Sequence, residues 1–170
     1  MVLTSKIIFN KNPNCKTFEE IFNLDLWGND LEDISIIKKL KNIKVLSLSV
    51  NKITSLKDFQ YCDKLEELFI RKNLIKDLNE IKYLSKLENL KILWLSENPC
   101  FFNENYRKII IYSLPQITHL DDQKISEEER IEAFKYFSNQ NQNQNQNLNQ
   151  NSKSKSKFKS KYSSSNSFIN

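Results

Sequence analysis

The chain has very little glycine and histidine. Of its 170 residues, one is a glycine, Gly28, and one is a histidine, His119. A phosphate-binding loop needs several glycines, and Ser-His or Cys-His catalysis needs a histidine beside a nucleophile. Most designs of catalytic site are therefore excluded, and we expect no enzyme, no catalytic residue and no cofactor.

Cysteines and long apolar runs are also scarce. The three cysteines, Cys15, Cys62 and Cys100, are odd in number and widely spaced, and none forms a C-x-x-C pair. This pattern argues against a disulfide framework and against a zinc or other metal site. No run approaches the roughly 18 apolar residues of a transmembrane helix, and the patch at 7–9 is too short for a signal peptide. We expect an intracellular protein, in the cytoplasm or on the cytoskeleton.

Acidic residues are missing from the end of the chain. None occurs after residue 138, where lysines at 153, 155, 157, 159 and 161 account for the whole net charge of +5. The rest of the chain has equal numbers of acidic and basic residues. We therefore do not expect the folded part to bind nucleic acid directly.

A repeat dominates the sequence. Four asparagines, Asn29, Asn51, Asn73 and Asn98, follow one another at spacings of 22, 22 and 25 residues. Each ends the pattern L-x-x-L-x-L-x-x-N with every apolar position filled. Self-similarity at such a period is the signature of a leucine-rich-repeat solenoid.

Each part of the repeat predicts a structure. Leu-x-Leu alternates with period two, which predicts a short strand, and stacked repeats place these strands in a parallel concave sheet. We expect each asparagine amide to bond backbone groups of its turn and of the neighbouring repeat. Apolar residues then recur every third position, which predicts 3₁₀ or helical turns on the convex side. The predicted fold is an α/β solenoid of about four 22-residue repeats with a helical end cap.

Solenoid ends need covering, and the flanking segments suit this role. Thr17 and Glu20 have the spacing of a helix capping box, as do Ser126 and Glu129. We predict an N-terminal cap at 1–20, repeats at 21–98 and a C-terminal cap at 99–138. The cap should contain a helix at 103–114, a last partial strand near Leu120, and a helix with Ile131, Phe134 and Phe137 or Tyr136 against the end of the stack.

The segment 139–170 alternates Asn with Gln and then Ser with Lys. Such a composition predicts a disordered tail, because it cannot bury enough apolar surface to offset chain entropy. Three interpretations of its lysines stay open: a solvated linker, a contact for acidic surfaces such as tubulin tails or anionic lipid, and a nuclear-import patch.

The concave face is the candidate binding site. Residues between the strand leucines, and those just after them, should point outward on one surface. These positions hold Asp25, Trp27, Ser47, Ser49, Phe69, Arg71, Trp94 and Ser96. Large aromatics and arginine are enriched at binding hot spots, so we expect a protein partner here. His119 and the pair Asp121 and Asp122 are interpreted as structural residues of the end cap.

Residues 24–100, with the cap to about 134, resemble the cilia- and flagella-associated leucine-rich-repeat proteins linked to retinal and skeletal ciliopathy. The segments that carry the resemblance are Leu-Trp-Gly at 26–28, Leu-Ser-Val-Asn at 48–51, Leu-Phe-Ile-Arg-Lys-Asn at 68–73, Leu-Trp-Leu-Ser-Glu-Asn-Pro-Cys at 93–100 and the cap from Tyr106 to Asp121.

This resemblance implies a non-enzymatic protein of the basal body that acts in cilium formation and maintenance, with a NIMA-related kinase as partner. The tail departs from the family, because it lacks the helical period of the family's C-terminal oligomerisation segment. The alternative is a nuclear, spliceosomal-type leucine-rich-repeat subunit that binds an RNA-binding protein.

Overall fold

The computed structural model describes residues 1–139. The chain divides into a compact unit of residues Met1–Arg130 and a second unit that begins at Ile131. The first unit is the predicted solenoid. The predicted disorder of the tail concerns 140–170, which lie outside the described residues.

The sheet has six strands in chain order. The strands are β1 (Asn23–Asp25), β2 (Val45–Ser47), β3 (Glu67–Phe69), β4 (Ile92–Trp94), β5 (His119–Leu120) and β6 (Gln123–Lys124). β1 to β5 pair in parallel, and β6 pairs with β5 antiparallel. The parallel concave sheet and its partial last strand are thus confirmed. The final antiparallel strand was not predicted.

The convex side is built of 3₁₀ turns, as the three-residue spacing predicts. They span Phe18–Glu20, Ser35–Lys39, Lys57–Tyr61, Leu78–Tyr83 and Pro99–Phe102. Apolar residues that recur every third position point inward; Leu56, Phe59 and Cys62, for example, are fully buried. In a 3₁₀ helix residues i and i+3 eclipse, so this spacing gives each repeat one continuous apolar stripe.

The N-terminal segment differs from its prediction. An unpredicted helix, α1 (Ser5–Lys11), begins after Thr4, whose hydroxyl accepts a hydrogen bond from Ile7 N at 3.4 Å. Thr17 forms no capping hydrogen bond, and the Glu20 carboxylate accepts from Lys16 N at 2.6 Å instead. The predicted capping box at Thr17 is therefore wrong, because a three-residue 3₁₀ turn leaves no extended helix end to cap.

The C-terminal cap contains the helix α2 (Tyr106–Ser113), shorter than the predicted 103–114. The capping box at Ser126 forms: Glu129 N donates to the Ser126 hydroxyl at 3.2 Å, and Ser126 N donates to the Glu129 carboxylate at 2.9 Å. No helix among residues 1–139 is both long and apolar enough to cross a membrane.

Residues 127–139 are helical. Two apolar residues on this helix, Ile131 and Phe134, were expected to face the stack, but 46% and 63% of their surface is exposed. Their exposure contradicts that part of the expectation. Ala133 is buried, and Tyr136 and Phe137, the other two residues expected on the covered face of this helix, are half-buried.

Candidate functional site

The repeat asparagines hold together the turns that follow the strands, next to the sheet face on which the candidate site lies. The Asn73 amide donates to the carbonyls of Leu48 and Ile70, both at 3.0 Å, and its oxygen accepts from Ile53 N at 3.0 Å. Each of these contacts joins one repeat to the next or closes the turn. Asn51 and Asn98 form the same pattern with the repeats before them.

The first asparagine differs from the other three. Asn29 is half-exposed, and its amide donates to the carbonyl of Trp27 at 2.8 Å. Asn51, Asn73 and Asn98 are all buried. The difference follows from position, because the strand of Asn29 lies at the end of the sheet and has no preceding repeat to join.

The strand register places one predicted set of residues in a row across the sheet. Asp25 pairs with Ser47, Ser47 with Phe69, and Phe69 with Trp94. Beyond the strands, Gly28 N donates to Ser49 O, Val50 N to Arg71 O and Lys72 N to Ser96 O. This second ladder aligns the other predicted set, Trp27, Ser49, Arg71 and Ser96.

Six of the eight predicted residues line one groove of about 390 Å³, here called the concave groove. It is lined by Trp27, Ser47, Ser49, Val50, Phe69, Arg71, Lys72, Trp94 and Glu97. Trp27 forms one wall and is 61% exposed. The opposite wall is the edge-to-face pair of Phe69 and Trp94, whose ring centroids lie 5.4 Å apart.

The two remaining predicted residues lie outside the concave groove. Ser96 lines a second groove nearer the C-terminal cap. Asp25 lines neither groove; its carboxylate accepts a hydrogen bond from Trp27 N at 3.0 Å and so fixes the turn that carries Trp27. Asp25 therefore supports one wall of the concave groove and leaves its charge exposed beside it.

The second groove, of about 520 Å³, was not predicted and is called the cap groove. It shares Arg71, Trp94 and Glu97 with the concave groove. The cap adds Phe101, Tyr106, Arg107, Leu120, Asp121, Asp122 and Gln123. Continuing the repeat frame through Ile117 and Leu120 would have placed Asp121 in the row of Trp94, which was the missed signal.

An ion pair between Arg71 and Glu97 separates the two grooves. Both side chains are about half-exposed, so the pair is solvated and weak. It leaves Arg71 neutralised rather than acting as an isolated cation, and it holds the guanidinium beside the aromatic wall.

Asp121 anchors the floor of the cap groove. Its carboxylate accepts from Leu95 N at 2.8 Å, from Ser96 N at 2.7 Å and from the Tyr106 hydroxyl at 3.1 Å. Burial and the neighbouring Asp121 charge raise the pKa of Tyr106, so this phenol stays protonated and donates. Asp121 therefore acts as the turn cap that its sequence position indicates.

Arg107 joins the cap groove to the following helix. It pairs with the Glu129 carboxylate at 2.5 and 3.1 Å and donates to the carbonyl of Leu120 at 3.2 Å. The hydrogen bond from Arg107 lowers the pKa of Glu129. This charge-assisted pair fixes the cap beside the last strand.

One row of the groove edge has an unusual backbone. Gly28, Val50, Lys72 and Glu97 precede the four repeat asparagines, and all have positive φ, between 55° and 66°. Glycine adopts this left-handed region freely, whereas a β-branched residue such as Val50 is a genuine outlier there. Three of the four turns are thus made without glycine, as the composition requires.

The arrangement suits non-covalent recognition. Burial raises the pKa of Cys62 to about 12 and of Cys100 to about 11, so neither thiol supplies a thiolate near neutral pH. Within residues 1–139, His, Cys, Asp and Glu form no cluster of three or more suited to a metal ion. His119 is half-buried in β5 and contacts the Thr118 hydroxyl at 3.0 Å.

Comparison with known proteins gives one family. A leucine-rich-repeat family model matches residues 6–150. Cilia- and flagella-associated protein 410 of Mus musculus is 37% identical over 135 residues, which cover 78% of this chain and 54% of that protein. Its Homo sapiens counterpart is 37% identical over 131 residues, covering 76% and 51%. The chain thus spans about half the length of these relatives.

Solved structures show the same fold at low identity. A chain from the Drosophila melanogaster SNF/U2A′ complex matches with a TM-score of 0.62 and 21% identity, over 81% of this chain and 92% of that one. At this identity the likeness concerns the fold alone.

Proposed function

Since this chain belongs to the leucine-rich-repeat family and is related to cilia- and flagella-associated protein 410, we propose that it is a non-enzymatic, protein-binding scaffold of the cilium or flagellum. It acts in cilium assembly or maintenance at the basal body. A protein partner, with a NIMA-related kinase as the candidate implied by the family resemblance, docks on the concave face.

The observation that carries the binding face is the concave groove itself. Two tryptophans, a phenylalanine and an arginine, contributed by three of the four repeats, line one depression. Trp27 is 61% exposed, and tryptophan is enriched at protein interfaces. Truncating a hot-spot aromatic typically costs about 2–4 kcal/mol of binding free energy, roughly 30-fold to 1000-fold in affinity.

The test compares variants of a tagged full chain in a ciliated cell. The wild-type chain is expected at the basal body, and Trp27→Ala and Trp94→Ala should lose both that signal and the proteins that co-purify with it. Tyr61→Ala is the matched control, because Tyr61 is also an exposed aromatic, 43% accessible, but lies on a convex 3₁₀ turn.

Two outcomes would refute this proposal. Unchanged localisation and co-purification in both tryptophan variants would remove the concave face from the function. Nuclear signal in the wild-type chain would favour the alternative, a spliceosomal-type subunit. Equal urea unfolding midpoints of Trp27→Ala and the wild type would show that any loss is not a folding defect.

A further inference from the structure

The concave groove and its surroundings carry an excess of negative charge. Arg71 is paired with Glu97, and Arg107 of the cap groove is paired with Glu129, which leaves Lys72 as the remaining cation of the two groove linings. Four carboxylates face the same side of the sheet: Asp25, Glu67, Asp121 and Asp122. Glu67 is half-buried beside Phe69 in β3, and its charge is not matched by an ion pair among residues 1–139.

The shape of the groove selects the width of its occupant. Trp27 follows β1, and Phe69, the member of the opposite wall nearer to it, ends β3, two strands away. Neighbouring strands lie about 4.8 Å apart, so the backbones that carry the two walls are separated by about 10 Å. Between them the floor is low, because β2 and the segment just after it contribute the small side chains of Ser47 and Ser49 to the groove.

An α-helix with its side chains is about 10–12 Å across and would touch both walls at once. A single extended strand is about 5 Å wide and would leave one wall uncovered. The face of a sheet also offers no backbone hydrogen bonds, and a helix needs none because its own are satisfied internally. The outward positions from Val45 to Ser49 span about 13 Å, which corresponds to between two and three turns of a helix.

We propose that the partner segment is a basic amphipathic α-helix of about three turns. This proposal rests on the proposed role of the concave face in binding a protein partner. It lies along β2 between Trp27 and the Phe69–Trp94 pair. Its apolar side covers the serine floor and the aromatic walls. Its lysine or arginine side chains reach Asp25 in β1 and Glu67 in β3, the strands on either side of β2, and the charges of Asp121 and Asp122 at the cap add to the attraction.

The chain carries its own reporter for this site. It has two tryptophans, Trp27 and Trp94, and both line the concave groove. Covering them moves indoles from water into an apolar contact, so tryptophan emission should shift to shorter wavelength when the groove is occupied. The probe is an amphipathic peptide of leucine and lysine, about four helical turns long, with leucine at i, i+3, i+4 and i+7, titrated into the full-length chain.

Two comparison peptides distinguish the contribution of positive charge to binding from the contribution of helical conformation. One has glutamate in place of every lysine, and the other has the basic sequence with two central prolines that prevent the helix. We expect the basic helix to bind at least about 10-fold more tightly than either. Its affinity should fall severalfold between about 50 and 500 mM salt, because the Debye length shortens from roughly 14 to 4 Å.

Charge-removing variants test the named carboxylates. Glu67→Gln with Asp25→Asn should weaken the basic peptide severalfold and remove most of its salt dependence. The Asp25→Asn change removes the charge but keeps a side-chain oxygen that can still accept from Trp27 N. Asp63→Asn, which removes a charge from an exposed position outside both grooves, should leave binding unchanged.

The outcomes are decisive and separable from the proposed function. Tighter binding of the acidic peptide, equal binding of the proline peptide, or no effect of Glu67→Gln with Asp25→Asn would overturn the basic-helix proposal. If the tryptophan variants still lose their cellular partner in that case, the concave binding face stands without it. If the basic helix binds but those variants localise normally, the proposed function fails instead.

Discussion

Replacing Asn73 by alanine should be among the most damaging changes that leave the apolar core intact. Asn73 is 4% exposed, and its side chain contacts three backbone groups at 3.0 Å and the Arg71 carbonyl at 3.3 Å. Each such hydrogen bond contributes about 1 kcal/mol net, and a buried group left without a partner costs about 1–3 kcal/mol. We expect Asn73→Ala to lower the free energy of unfolding by about 3–4 kcal/mol.

The chain supplies a matched control at the same position of the motif. Asn29 is half-exposed and its side chain donates a hydrogen bond to Trp27 O. Water can replace that bond, so Asn29→Ala should cost less than about 1 kcal/mol. The motif alone gives no reason for the two asparagines to differ; the difference comes from their places in the stack.

The assay is urea unfolding followed by far-ultraviolet circular dichroism and by tryptophan emission. A shift of midpoint with unchanged slope would report stability alone. Equal losses for Asn29→Ala and Asn73→Ala, or a loss below about 1 kcal/mol for Asn73→Ala, would refute the bridging role assigned to this amide.

Two further predictions concern the turns and the cap. Val50 has a φ of 59°, and asparagine tolerates this region far better than a β-branched residue. Val50→Asn should therefore raise the free energy of unfolding by about 0.5–1 kcal/mol. Val45→Asn, inside β2, is the control and should lower it. If both variants are less stable than the wild type, the packing of the Val50 side chain outweighs the relief of its backbone strain. The pKa of Glu129 is lowered by Arg107, so its stabilising contribution is full above the ordinary value of 4.5 and is lost as the pH falls through the lowered value. Glu129→Gln and Arg107→Gln should both reduce the loss of stability that occurs between about pH 7 and pH 3, measured as the shift of the urea unfolding midpoint. If the loss is the same as in the wild type, other carboxyl groups are responsible for the pH dependence.

The repeat made most of the fold predictable. L-x-x-L-x-L-x-x-N fixes which side chains enter the core, and the three-residue spacing fixes the convex turns, so a one-dimensional pattern determines a stack in which each repeat contacts its neighbours. The flanks lack that redundancy. Thr17 and Glu20 matched a local signal, yet the segment formed a single 3₁₀ turn, and α1 formed without a strong periodic signal.

The candidate site was predictable in part for the same reason. Alternation on a strand identifies which residues face outward, and the register then aligned Phe69 with Trp94. Alternation does not predict how deep a surface is. The 390 Å³ concave groove could therefore not be predicted from the sequence, and neither could the ion pair of Arg71 and Glu97 that divides it from the cap groove. The groove role of Asp121 was missed because the frame that Ile117 and Leu120 continue has Asp122 where L-x-x-L-x-L-x-x-N requires an apolar residue, so the motif is incomplete there.

The two roles of the repeat fall on different residues, which explains how such a chain can be specific. The buried stripe and the amides of Asn51, Asn73 and Asn98 hold the stack together. The outward residues of the strands and of the segments just after them contribute less to it: Trp27 is 61% exposed, and Ser47 is small and half-buried. If the concave face is the binding face proposed above, substitutions there should change recognition at low cost to stability, as expected for surface positions away from caps and core. A Trp27→Ala chain that loses its partner while keeping its unfolding midpoint would show this separation directly.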